Sequence, residues 1–364
     1  MDDQVVTPIK SNEKRLARLQ AWVTQQLGSP GELIPLLGDA GGRRYFQLSQ
    51  SQNWLAVDAP PETEKVAQFV YMAEQLRLQR VRVPHLKAVD VDKGFLLVEN
   101  LGLNLLADDI SQDTAPLLYG EALMTLLAMA QTPLQALKVP VYDRDFILRE
   151  LEIFREWFLA QLLGIELAAA DNRLLDQLFD TLAQHALAQP QVLMHRDYHA
   201  RNIILAQGQC AVIDFQDAVV GPLTYDAVSL LKDAYLRLPA DDVKRWAQVY
   251  GDMARDSGLL TTAQCASFWQ DFELMGLQRH LKILGIFARL DLRDGKPGYL
   301  PDLPRVLGYV LETCAAHRGQ LGEFEVWLHN RVLPQCQRHS WYIEETMLQA
   351  HYVQPATQVG ATVS

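Results

Sequence analysis

The chain has 364 residues, 33 of them Lys or Arg and 44 Asp or Glu, for a net charge of -11; 49% are hydrophobic and 21% charged. That balance is globular, long enough to bury a large core and to divide into two domains, and it excludes extended disorder and fibrous repeats. So acidic a total works against nonspecific binding of nucleic acid or anionic membrane, though a small basic pocket is compatible with it.

Residues 1–10 hold neither the basic nor the apolar region of a signal peptide, so a cytoplasmic chain is expected. Leu16, Leu19, Trp22, Val23 and Leu27 recur at i, i+3 and i+4, which predicts an amphipathic helix over 13–27. Residues 33–58 read as short strands joined by Gly-rich and polar turns, ended by Pro60 and Pro61. Helical spacing returns over 62–79 through Val66, Phe69, Val70, Ala73 and Leu76, and 85–102 holds two strands across the turn Asp92-Lys93-Gly94. From 114 onward helices dominate, interrupted by one β-like stretch at 192–214. The expected fold is α+β: a small mixed β-rich lobe, residues 1–101, followed by a large, mostly helical lobe, residues 102–364. The tail from about 353 has little to bury and is expected to fray. No apolar run approaches the roughly 18 residues that span a bilayer. Cys210, Cys265, Cys314 and Cys336 are widely spaced without a C-x-x-C pair, which predicts reduced, mostly buried thiols and neither a disulfide framework nor a zinc site.

The chemistry is concentrated between Val192 and Asp226. His195-Arg196-Asp197 is followed after four residues by Asn202, and two apolar strands flank Gln207-Gly208-Gln209 as a hairpin would. Such a hairpin returns Asp214 towards Asp197 and Asn202. Phosphoryl transfer needs this inventory: one carboxylate to orient the attacking hydroxyl and accept its proton, and a carboxylate and an amide to hold Mg²⁺ against the phosphates. Singly, each residue has a plainer reading, a surface turn for His-Arg-Asp and a helix cap for Asp214. The ordered combination behind a β-rich lobe is much harder to obtain by chance.

H-R-D-x-x-x-x-N followed by I-D-F resembles the catalytic and metal loops of protein-kinase-like enzymes, and His199 with D-F-Q-D in place of D-F-G is similar to the aminoglycoside phosphotransferase and choline kinase branch. The resemblance implies a two-lobed protein-kinase-like fold with ATP and Mg²⁺ as cofactors. It also implies Asp197 as catalytic base, Asn202 and Asp214 as Mg²⁺ ligands, and Asp226 as a structural brace behind the loop. The phosphate-covering loop falls at 38–46, where Gly41, Gly42, Arg43 and Arg44 are candidate nucleotide contacts, although an ordinary hairpin turn explains that loop equally well. Glu99 and Leu101, in FLLVENLG, fall at the hinge where adenine meets backbone.

One departure stands out. The strand that carries a phosphate-binding Lys in kinases reads Leu55-Ala56-Val57-Asp58 here. Asp58 would repel a phosphate, so the cation is expected from Arg43, Arg44 or Lys65, with the Arg pair first because guanidinium suits phosphate geometry. Nucleotide held mainly through metal, and a kinase without activity, are the alternatives.

Six stretches are similar to the kinases that phosphorylate the anomeric hydroxyl of N-acetylmuramic acid and N-acetylglucosamine: R-R-Y-F at 43–46, V-D-A-P-P at 57–61, 195–202, 213–226, 278–290 and 293–300. In that branch the missing strand Lys is normal. The resemblance implies an ATP-dependent sugar 1-kinase of cell-wall recycling. Its partners would be ATP and a small amino sugar, with no nucleic acid, membrane or obligate protein partner. His199 and Arg201, flanking the base, are the better substrate-side candidates, and Arg279, His280 and Lys282 are further ones. Phe154 and Trp157, spaced i, i+3, fit a core better than a sugar platform. Kinases of the same fold acting on an aminoglycoside, choline or homoserine, and a non-catalytic nucleotide-binding scaffold, stay open as alternatives.

Overall fold

The computed structural model describes residues 8–36 and 42–350. Contacts group the chain into two compact units, residues 1–104 with 204–217, and residues 105–203 with 218–364. The expected division at residue 101 therefore differs in one respect: the hairpin after residue 202 folds with the first unit. Its backbone explains this, because the Leu205 N–H donates to the Asn104 carbonyl and the Val212 N–H to that of Arg82.

The first unit is built from α1 (Pro8–Leu27), β1 (Leu33–Pro35), β2 (Arg44–Leu48), β3 (Ser51–Asp58), α2 (Val66–Leu78), β4 (Leu86–Asp90) and β5 (Phe95–Glu99). The antiparallel sheet runs β1-β2-β3-β5-β4. Leu19, Trp22 and Val23 of α1 pack on Phe46, Leu48, Ala56, Phe95 and Leu97, so the apolar stripe of the helix and the inward face of the strands form one core. α2 starts at Val66, later than its spacing suggests, because the Thr63 and Glu64 N–H groups fold back onto the Pro60 carbonyl as a turn. Gly94 has φ +70°, and a Cβ there would lie 1.9 Å from the Ala59 carbonyl oxygen, so only glycine closes the β4–β5 turn against the end of β3. The hairpin of strands Ile203–Ala206 and Gln209–Val212 turns through Gln207 (φ 54°) and Gly208 (φ 77°), the two positive angles of a twisted hairpin turn.

The second unit is mostly helical: α3 (Ala115–Ala130), α4 (Arg144–Ile153), α5 (Ala169–Ala188), α6 (Thr224–Leu231), α7 (Ala240–Asp256), α8 (Phe268–Leu292), α9 (Leu303–Ala316) and α10 (Arg318–Trp327). Strand β6 (Gln191–Met194) pairs antiparallel with β7 (Val219–Pro222). α8 is buried through most of its length from Phe272 to Ala288 and is the axis of the unit. Its Gly285 meets the end of α4, where a Cβ would lie 2.4 Å from the Ile153 carbonyl oxygen. Directly after Ile153 the helix continues in π form over Phe154–Leu162, a wider turn at the point of closest approach. Phe154 is buried there and stacks on Phe158, as a core residue should. None of the four cysteines, all among the described residues, forms a disulfide, and Cys210, Cys314 and Cys336 are buried. Among the described residues no helix is long and apolar enough to cross a membrane.

Candidate active site

β6 delivers the chain into the loop His195–Asn202. The N–H groups of His195 and Arg196 donate to the two carboxylate oxygens of Asp226 at 2.6 and 3.0 Å, the brace expected from the sequence. Asp226 is 2% exposed, and burial pushes its carboxyl up to about 6 against the opposing pull of His195 and these two amides. Arg196 takes φ +80°, an uncommon angle for a side-chain-bearing residue, which the brace enforces. On the other side of the loop, Asp233 accepts the Ala200 N–H at 3.0 Å.

Asp197 follows Arg196 and is half-buried. Burial would raise its pKa, but the charges of Lys282, His199, Arg279 and Arg196 prevail and hold it at about 2. It therefore stays ionised as a hydrogen-bond acceptor. Two of these cations are fixed by Glu150, itself 5% exposed. Glu150 pairs with Arg196 at 2.8 Å and Lys282 at 3.0 Å and accepts the Tyr142 hydroxyl at 2.5 Å; Lys282 also donates to the Tyr225 hydroxyl at 3.0 Å. Lys282 is thus a buried, fully engaged charge, and its role toward Asp197 is electrostatic.

Asn202 donates its amide N–H to the Asp197 carbonyl at 2.9 Å, which leaves its Oδ1 free to accept or ligate. Asp214, in the first unit, has φ +62°, and its Oδ1 accepts from Gln216 at 2.7 Å. One amide oxygen and one uncommitted carboxylate oxygen are hard donors. Each is an oxygen of the kind Mg²⁺ takes, since that ion binds through one or two protein oxygens and otherwise keeps water and phosphate.

The ion pairs of residues 42–65 explain the Asp58 departure. Asp58 is fully buried between two arginines, with Arg15 of α1 on Oδ1 and Arg44 on Oδ2. Arg44 is therefore committed to Asp58. Lys65 is committed to Asp217 at 2.7 Å on the surface. Arg43 instead pairs with Glu64 at 2.8 Å, and its Nη1 donates to Gln216 at 3.0 Å, which in turn donates to Asp214. The Gly42 N–H donates to Glu64 at 3.2 Å, where a Cβ would crowd that carboxylate; Gly41 lies outside the described residues. Arg43 borders an apolar cleft with Val57, Val66, Phe69, Leu96 and Val98. At the hinge, Arg82 and the His85 N–H engage the Glu99 carboxylate, and Arg82 holds it below the usual carboxylate range. The Leu101 N–H has no partner among the described residues.

The substrate-side candidates separate. The His199 ring lies edge-on to Tyr235, its centroid 5.4 Å away, and the Arg201 guanidinium sits 3.8 Å above the same Tyr235. Arg279 is buried beside Tyr225. His280 turns to a different face: its Nε2 meets the Lys232 carbonyl at 3.0 Å, its ring stacks on Tyr309, and burial holds it well below its usual pKa, as a neutral core residue. Lys282 is not a solvated charge either, for the reason given above. Sequence reasoning missed Glu150, Glu64, Asp233 and Tyr235, whose partners lie far away in the chain and leave no local pattern.

The braced loop carries an ionised carboxylate, Asp197, of the kind a phosphotransferase uses to orient its acceptor. The profile of the phosphotransferase enzyme family matches residues 32–259, and the chain belongs to that family. It is 38% identical over 325 residues to the N-acetylmuramate/N-acetylglucosamine kinase of Pseudomonas aeruginosa, covering 86% of this chain and 96% of that protein. It is 40% identical over 304 residues to the Neisseria meningitidis protein of the same name, covering 82% and 90%. Among solved structures, the ADP-bound aminoglycoside phosphotransferase APH(2'')-Ib aligns with a TM-score of 0.56 at 14% identity, over 82% of this chain and 98% of that one. Choline kinase LicA from Streptococcus pneumoniae aligns with a TM-score of 0.56 at 12% identity, over 81% and 99%. These two likenesses establish the kinase-like fold.

Proposed function

We propose that this phosphotransferase moves the γ-phosphoryl group of ATP to the anomeric hydroxyl of N-acetylmuramic acid and N-acetylglucosamine, in the cytoplasmic recycling of cell-wall sugars. The observation that carries the reading is the similarity to kinases named for these two sugars along most of the chain, which itself holds Asp197, Asn202 and Asp214 in kinase order.

In this reading, Asn202 and Asp214 would hold Mg²⁺, and a bound ion would supply charge neutralisation at the phosphates. Arg43, kept in place by Glu64, supplies the cation that kinases carry on the strand now ending in Asp58. The apolar cleft beside Arg43 and the backbone of Glu99 and Leu101 would receive the adenine. Asp197 accepts a hydrogen bond from the anomeric hydroxyl, aims its oxygen and takes its proton as the new P–O bond forms. Held ionised by the cations around it, Asp197 is placed to orient the hydroxyl as well as to take its proton. With Arg196 and Lys282 neutralised by Glu150, Arg279 is the cation beside Asp197 that a cationic aminoglycoside or quaternary ammonium would meet, which favours an uncharged or acidic sugar. The buried Asp58, clamped by arginines, gives the missing lysine a structural explanation, which weakens the scaffold reading.

³¹P NMR of the purified protein with ATP, Mg²⁺ and a panel of N-acetylmuramic acid, N-acetylglucosamine, kanamycin and choline tests this. The expected result is a new phosphate signal coupled to an anomeric proton with the amino sugars alone. Transfer to kanamycin or choline instead would overturn the substrate, and nucleotide binding without transfer to any of them would overturn the catalysis.

A further inference from the structure

Among the charges around Asp197, Arg279 stands apart. It is 3% exposed, and its Nε and Nη1 are buried without a hydrogen-bond partner among the described residues. Its near contact is the face of Tyr225, whose ring centroid lies 5.8 Å from the guanidinium carbon. Arg196 and Lys282, its neighbours in charge, both rest on Glu150. A buried guanidinium with idle donors is costly, because desolvation is not offset by an acceptor. A second idle group belongs to the same surroundings: His199 Nδ1 is also buried without a partner, and His199 and Arg279 both act on Asp197. The carboxylates facing Arg279 are Asp197, kept for the substrate hydroxyl, and Asp226, occupied by two backbone amides. Neither satisfies the arginine.

We propose that Arg279 receives the carboxylate of an acidic amino sugar, and so sets the preference between N-acetylmuramic acid and the neutral N-acetylglucosamine. The inference rests on the sugar-kinase reading. A guanidinium pairs Nε with Nη2 along one edge and Nη1 with Nη2 at its tip, so a carboxylate can bind either idle nitrogen of Arg279 together with Nη2. Asp197 receives the sugar hydroxyl, so a cation beside it stands on the sugar side of the reaction. His280 and Lys282, one and three positions further along α8, have no such idle cationic donors: one is neutral and packed on Tyr309, the other bound to Glu150 and Tyr225.

The test is the ratio of kcat/KM for N-acetylmuramic acid to that for N-acetylglucosamine, in wild type, Arg279→Gln and Arg279→Lys. Any effect of Arg279 on Asp197 is common to both sugars and cancels in the ratio. The ratio should fall roughly 10- to 100-fold in Arg279→Gln, mainly through KM for the acid, and recover in part in Arg279→Lys. A second arm needs no variant: in wild type, the methyl ester of N-acetylmuramic acid should lose affinity by the same factor relative to the free acid. A ratio unchanged within about twofold, or an ester that binds as well as the acid, overturns the proposal while leaving the sugar-kinase reading intact. Equal loss for both sugars means that Arg279 acts on what the two reactions share, Asp197 or the phosphoryl group, and also overturns it. Wild-type protein that phosphorylates neither sugar overturns the underlying reading and the proposal with it.

Discussion

Arg43 donates to Glu64 at 2.8 Å, and through Gln216 the same guanidinium is linked to Asp214. A cation is thereby anchored to a carboxylate ahead of α2 and tied to the proposed metal ligand, although the strand that carries that cation in kinases ends here in Asp58. If Arg43 grips the phosphates, Arg43→Met should weaken ATP binding by about tenfold or more, the usual loss for a charge-assisted bond. Glu64→Gln should act in the same direction but less strongly, since it loosens the arginine without removing it. Titration with a fluorescent nucleotide reads both. Unchanged affinity in Arg43→Met would leave the phosphates to the metal.

Asp197→Asn should lower kcat by about 10²–10⁴ and leave nucleotide affinity close to wild type, because the side chain meets the acceptor and not the donor. Steady-state kinetics beside the same nucleotide titration would separate the two effects. Near-full turnover in this variant would remove Asp197 from the reaction.

Asp214→Ala should act on a different quantity. Nucleotide affinity measured with Mg²⁺ should fall, and affinity measured in EDTA should change little. An equal loss under both conditions would mean that Asp214 supports the loop without holding metal.

Glu150 is 5% exposed and neutralises two buried cations, Arg196 and Lys282. Glu150→Gln leaves them uncompensated and should cost about 3–5 kcal/mol, read as a lower denaturant midpoint. Substituting Lys282 by Met alongside it should return part of that loss, since one of the stranded charges is then gone.

Burial raises Asp226 to about 6, whereas Asp197 is lowered to about 2, and the two therefore act on stability in different pH windows. A carboxyl raised on folding binds its proton more tightly in the native state. Its stabilising contribution is complete below about pH 4 and is lost as the pH rises through about 6, by roughly 3 kcal/mol. Asp197 contributes with the opposite sign: its share is present above about pH 4 and is lost as the pH falls toward 2. Unfolding free energies between pH 4 and 7 should thus carry a downward slope from Asp226 that is absent in Asp226→Asn. The same slope in the variant would assign it to another group.

The loop 195–202, the hairpin and the D-F-Q-D turn were legible in the sequence because they are local. Their spacing alone sets a strand, a tight turn and a second strand, and the oxygen-bearing side chains follow from the order of residues. The amphipathic stripe of α1 and the β4–β5 hairpin were legible for the same reason, since a helical or alternating period survives in a linear string. What only the tertiary structure decided is how the charges pair. Arg15, Arg44 and Asp58 meet because α1 packs on the strands, and Glu150 meets Arg196 and Lys282 from three separate elements. No periodicity records such contacts, since each depends on which buried charge lacks a partner once the core has closed. The same holds on α8, where His280 became a neutral core group and Lys282 a paired one, and Arg279 kept its idle donors. A row of basic letters in a helix carries no sign of which side chain is satisfied; burial and the nearest carboxylate settle that.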